Sequence, residues 1–123
     1  MSSQNNQTQS LINQSGMTII LGDGNNNAAA DSSGTANIII LGNGYNDTVT
    51  AINTTRDTIA LGSGNGDTVT VAGGQGNTIY LGDGTKDTVT DTNENGGDTI
   101  TLGNGNYDAV TLTGQHPSRE RQQ

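Results

Sequence analysis

Leu-Gly-x-Gly begins at Leu21, Leu41, Leu61, Leu81 and Leu102, at spacings of 20, 20, 20 and 21 residues. Between these copies lie "AINTTRDTIA", "VAGGQGNTIY" and "DTNENGGDTIT", which lack the Gly-x-Gly pair but end alike. The unit is therefore a 20-residue coil made of two half-coils of ten. Internal repetition at this period points to a solenoid, where each coil packs on its neighbours. Composition makes the stacking necessary. Only 28% of the 123 residues are hydrophobic, with no Trp and no Phe. That is too little for a conventional globular core, because burial must offset the chain entropy lost on folding. A stack of repeats can share one thin, continuous core instead.

The end of each half-coil alternates with period 2, as in Asp47-Thr48-Val49-Thr50-Ala51 and Asp57-Thr58-Ile59-Ala60-Leu61, which reads as a short strand. One register turns Val49, Ala51, Ile59 and Leu61 inward, with Val69, Val71, Ile79, Leu81, Val89, Ile100, Leu102, Val110 and Leu112 following. Ile19, Leu21, Ile39 and Leu41 fit the same register. Ala29, Asp31 and Asp91 also fall inward, against the aliphatic pattern. The Gly-rich stretches supply tight turns, for which glycine tolerates positive φ. The expected fold is all-β: a parallel β-roll, or two-sheet β-solenoid, of about 20 residues per coil. The extra residue in "DTNENGGDTIT" requires a bulged turn. The expected boundaries are a flexible tail at 1–16, the repeat domain at 17–114 and a second tail at 115–123, which holds His116.

The formal net charge is −8, and 10 of the 12 acids are Asp. Four Lys and Arg exclude a phosphate-binding surface, so no nucleic-acid partner is expected. A cation is the natural small partner. Without cysteine there is neither a disulfide framework nor a thiolate metal site. No membrane span and no classical signal peptide are read from the sequence. A lone His and no Cys leave no nucleophilic triad to assemble, so the expectation is a non-catalytic protein.

The seventh place of successive half-coils holds Asn27, Asn37, Asp47, Asp57, Asp67, Asn77, Asp87, Asp98 and Asp108. Stacking sorts them into two rows, one at each rim. Carboxylates stacked about 5 Å apart repel, and a hard dication, which accepts carboxylate and carbonyl oxygens together, would neutralise them. The competing reading makes these residues turn formers that hydrogen-bond backbone amides. Asp23 and Asp83, inside the turns, read as solvated.

"LGSGNGDTVT" and its copies resemble the nonapeptide of RTX (haemolysin-type) calcium-binding repeats, Gly-Gly-x-Gly-x-Asp-x-hydrophobic-x. The resemblance covers roughly residues 17–114. It implies a parallel β-roll with Ca²⁺ between turns, held by glycine-turn carbonyls and the Asp carboxylate. Carried over, the metal-binding residues are Gly42, Gly44 and Asp47; Gly62, Gly64 and Asp67; Gly82, Gly84 and Asp87; and Gly103, Gly105 and Asp108. The chain departs from the family in two ways: Leu replaces the first Gly, and two residues separate the second Gly from Asp. The alternate half-coils, with Asp57, Asn77 and Asp98, lack the glycine pair, so the resemblance favours one rim. It further implies an extracellular structural or adhesion module that folds when calcium binds.

Two other functions fit the repeats. A calcium-independent solenoid would rest on its aliphatic core alone. Outward Thr48, Thr50, Thr68, Thr70, Thr88 and Thr90 form a flat array that resembles the ice-binding face of some β-solenoid antifreeze proteins. Open sheet edges at both ends also invite end-to-end self-association.

Overall fold

Short β-branched runs separated by glycine-rich turns produce, among the described residues, eleven strands in chain order. They are β1 (Thr8–Ile12), β2 (Thr18–Leu21), β3 (Ala28–Ser32), β4 (Ile38–Leu41), β5 (Thr48–Thr55), β6 (Thr58–Ala60), β7 (Thr68–Gln75), β8 (Thr78–Tyr80), β9 (Thr88–Asp91), β10 (Thr99–Thr101) and β11 (Ala109–Leu112). The computed structural model describes residues 5–92 and 97–113. Odd-numbered strands form one parallel sheet and even-numbered strands a second, each in sequence order along the stack. The chain thus winds between two sheets as a β-solenoid, and there is no helix among the described residues.

The register follows the repeat. Thr48 pairs with Thr68 and Thr68 with Thr88 in the larger sheet; Ile39 pairs with Ile59 and Ile59 with Ile79 in the smaller. After the inserted residue the offset becomes 21, as in Thr78 with Thr99 and Thr88 with Ala109. The bulged turn expected around that insertion falls largely on residues 93–96, outside the described residues, as does the tail with His116.

Alternation places a single aliphatic core between the sheets. Ile39, Ile59, Val49, Val69, Val71, Ile79 and Val89 are fully buried, as the period-2 register requires. Asp31 and Asp91 do sit inward in this row and are buried. The register fails at the last rung, where no further described strand covers it. Val110 is 40% and Leu112 53% exposed, and Ile100 and Leu102 are only partly buried. The amino-terminal boundary also differs from expectation. Residues 8–12, assigned above to a tail, form β1 and pair with β3 from Thr8↔Ala28 to Ile12↔Ser32. The repeat therefore starts a half-coil earlier, with Gln9 and Leu11 in the inward columns.

Candidate functional site: two buried rows of aspartate and asparagine

The seventh-place residue follows the turn and precedes the strand, and its side chain points into the coil. Asn27, Asn37, Asp47, Asp57, Asp67, Asn77 and Asp87 are all 0% exposed. The sequence suggested charged rows at the rims; the rows exist, but they are buried. Each Oδ1 accepts a hydrogen bond from the backbone N–H of the seventh-place residue one coil earlier. On the Gly-x-Gly rim, Asn27 N–H donates to Asp47, Asp47 to Asp67, Asp67 to Asp87 and Asp87 to Asp108, at 2.8–3.0 Å. On the second rim, Asn37 N–H donates to Asp57, Asp57 to Asn77 and Asn77 to Asp98, at 2.7–2.9 Å. A short side chain with an acceptor at this distance is what the position demands, and Asn and Asp meet it equally. These bonds satisfy backbone donors that burial would otherwise leave unpaired.

The second polar atom of the side chain separates Asn from Asp. Asn27 Nδ2 donates to the carbonyl of Gly24 at 3.1 Å, and Asn77 Nδ2 to the carbonyl of Thr54 at 3.2 Å. Asp offers an acceptor where Asn offers a donor. Oδ2 of Asp47, Asp57, Asp67 and Asp87 is accordingly buried without a hydrogen-bond partner. Leaving a buried acceptor unmatched costs about 1–3 kcal/mol, and more when it is charged. Burial pushes the Asp47 and Asp87 carboxyls up from the usual range, against the pull of the N–H groups they accept. Asp67 is pushed up to about 6, first by burial; the Asp47 N–H opposes this, and the charges of Asp87 and Asp47 add to it.

The glycines are required by close approach rather than by unusual φ. A Cβ on Gly44, Gly64, Gly84 or Gly105 would overlap the carbonyl oxygen of the fourth-place glycine one coil earlier. A Cβ on Gly42, Gly62, Gly82 or Gly103 would likewise strike the second-place glycine below. The carbonyls of Gly22, Gly42 and Gly62 accept the N–H groups of Gly42, Gly62 and Gly82, at 3.1–3.2 Å. Their direction thus runs along the stack. Positive φ occurs instead at the sixth place, in Asn26, Asn46, Gly66, Lys86 and Tyr107. That is the residue by which the repeat exceeds nine. It lets the chain reverse before the seventh-place side chain turns inward.

Other side chains bridge the turns on the outside. Asp23 accepts from Asn43 N–H, Asn43 from Ser63 N–H, and Asp83 from Asn104 N–H. Asn25 accepts from Tyr45 N–H and Asn65 from Thr85 N–H. Asp23 and Asp83 are therefore rungs between coils as well as turn residues. Their only signal in the sequence is a recurring Asn, Asp or Ser at the third or fifth place.

Among the described residues, no group of three or more His, Cys, Asp or Glu side chains is arranged to hold a metal. Any cation on these rims would need carbonyl oxygens beside the carboxylates. On the outer face of the larger sheet, Thr48, Thr68 and Thr88 align in one row and Thr50, Thr70 and Thr90 in the next. Ala28, Ala30 and Ala109 interrupt these rows at either end. No helix among the described residues is long and apolar enough to cross a membrane. Comparison with protein-family models, curated proteins and solved structures finds no match.

Proposed function

We propose that the chain is a non-catalytic, calcium-stabilised β-solenoid that acts as an extracellular structural or adhesion repeat. One observation carries the reading. In a single column, Asn27 gives its amide to Gly24, while Asp47, Asp67 and Asp87 present bare, buried oxygens in the equivalent place. Gly84 lies beside Asp87 Oδ2, since a Cβ there would stand 3.1 Å from it. A column of carboxylate oxygens next to glycine carbonyls suits a hard, oxygen-seeking cation. The residues that would hold Ca²⁺ are Asp47, Asp67 and Asp87 with the carbonyls of Gly44, Gly64 and Gly84. Gly42, Gly62 and Gly82 act mainly as spacers whose carbonyls join the backbone ladder. Gly103, Gly105 and Asp108 form the last rung, where Asp108 is half-exposed. Bound Ca²⁺ would neutralise the column and couple binding to folding. Circular dichroism in chelator and in calcium tests this: calcium should raise the melting temperature or induce the β signal, and an identical melt in both would sink the proposal.

A calcium-independent scaffold is the second reading. It is favoured by the Oδ1 ladder, which closes without any metal, and by the continuous aliphatic core. The same pair of melts separates the two. Among the described residues, the exposed Val110 and Leu112 beside the partly buried Ile100 and Leu102 at the last rung support self-association. Sedimentation at increasing concentration should then show oligomers, and a single monomer throughout would refute it.

A further inference from the structure

Asp31, like Asp91 in the same column, breaks the aliphatic register, and it is the one that lies beside a seventh-place carboxyl, Asp57. Its column runs Leu11, Asp31, Ala51, Val71, Asp91 and Leu112, and Asp31 is 1% exposed. Three oxygens without hydrogen-bond partners occur around it on the rim that lacks the glycine pair: Asp31 Oδ1, Asp57 Oδ2 and Thr54 Oγ1. Asp57 and Thr54 are both 0% exposed. The three side chains sense one another directly. Asp57 is pushed up to about 6, first by burial, against the Asn37 N–H; contact with Asp31 raises it further and the Thr54 hydroxyl lowers it. Two buried carboxyl groups thus face each other, an arrangement that a positive charge between them would stabilise.

Asn37 donates to both acids, its backbone N–H to Asp57 Oδ1 and its side-chain amide to Asp31. Asn37 Nδ2 reaches Asp31 Oδ2 at 2.6 Å, and its other bond goes to the Gln14 carbonyl. The seventh-place neighbours of Asp57 in its row, Asn37 and Asn77, are uncharged. Ala29 and Ala51 line the core here, where the next coil of each column places Val49 and Val71. Gly34 closes over the cluster so tightly that a Cβ would overlap Asn37 Nδ2 and the Asp31 carboxylate.

We infer that Asp31, Asp57 and Thr54 form a separate site for a hard divalent cation on the second rim. The hydroxyl is an independent pointer to a ligand: it is fully buried, has no hydrogen-bond partner outside the acid pair and faces Asp57. Two carboxylates and a neutral oxygen are the donor types that Ca²⁺ accepts. This site does not depend on the glycine-rim column.

The test is a calorimetric Ca²⁺ titration of the full chain, of the triple variant Asp47→Asn/Asp67→Asn/Asp87→Asn, and of that variant with Asp57→Asn added. Asn preserves the Oδ1 acceptor, as Asn37 and Asn77 show, and circular dichroism verifies the fold. The triple variant should keep one Ca²⁺, and Asp57→Asn or Asp31→Asn should abolish it. Thr54→Val in the triple variant should weaken it at least tenfold. A triple variant that binds no calcium while the wild type does overturns this site and leaves the glycine-rim reading intact. Residual binding that survives Asp57→Asn overturns the assignment of residues. A wild-type chain that binds no calcium overturns both.

Discussion

The two rims share one contact and differ in nearly everything around it. On both, a seventh-place Oδ1 accepts the N–H of the coil before it. On the glycine rim the fourth place is Gly in each coil from Gly24 to Gly105, and the turns stack backbone on backbone. On the second rim the fourth place is Gln14, Gly34, Thr54 and Gly74; Gly74 also stacks on the Thr54 carbonyl, but Gly34 packs against the side chains of Asp31 and Asn37. The shared contact is therefore what the fold needs, and it needs only an acceptor. The difference lies in the spare oxygen, which is regular along the glycine rim and concentrated at Asp31–Asp57 on the other.

The largest break in this comparison should come from Gly64→Ala. Its methyl group would overlap the Gly44 carbonyl, so stability should fall by more than about 3 kcal/mol, seen as a collapse of the melting temperature. In chelator Thr54→Ala, at the same place on the second rim, should cost about 1–2 kcal/mol, since it removes a buried hydroxyl and methyl but introduces no overlap. Equal costs for the two would mean the rims do not stack differently.

The pH dependence in chelator comes next. Asp57 and Asp67 are raised from 3.8 to about 6, so the folded state holds these protons more tightly than the unfolded chain. Their stabilising contribution is complete below about pH 4 and is lost as pH rises through about 6. The loss is on the order of 3 kcal/mol for Asp67. Urea unfolding at pH 4 and pH 7.5 in chelator should show greater stability in acid, and added calcium should flatten the difference.

Smaller effects sharpen what the rims share. Asp67→Ala and Asp57→Ala each strand one buried N–H, on Asp47 and Asn37 respectively, and should each cost about 1–3 kcal/mol in chelator. Asp67→Asn should instead stabilise the metal-free protein by about 1 kcal/mol, because Asn supplies a donor where Asp has none. At the bottom of the scale, Thr70→Val on the outer face should stay within about 0.5 kcal/mol in a thermal melt.

Much of this architecture is legible in the chain. The 20-residue period and the Thr-Val-Thr alternation identify both sheets and the buried columns from Ile19 to Val89. The first strand is hidden because "TQSLI" lacks the Leu-Gly-x-Gly landmark, and its inward Gln9 breaks the aliphatic pattern. The seventh place is legible as a row but not as a buried one, since polarity alone suggests a solvated rim. Burial comes from the hydrogen bond to the neighbouring coil, which leaves no mark in hydropathy. The sixth place is still less visible. Asn46, Lys86 and Tyr107 all take positive φ there, so residue type carries little signal. For Asp31, the misfit with its register was the signal, and its partners Thr54 and Asp57 come from the next coil.

The central claim is that Asp47, Asp67 and Asp87 hold the coils through Oδ1 and leave Oδ2 for a cation. It is tested most directly by calcium calorimetry, with paired thermal melts, on the wild type and the Asp47→Asn/Asp67→Asn/Asp87→Asn variant. The wild type should bind several calcium ions and gain melting temperature, while the variant should keep its β-structure in chelator and lose binding on that rim. A wild type that takes up no calcium, or a variant that binds as much as the wild type, would contradict it.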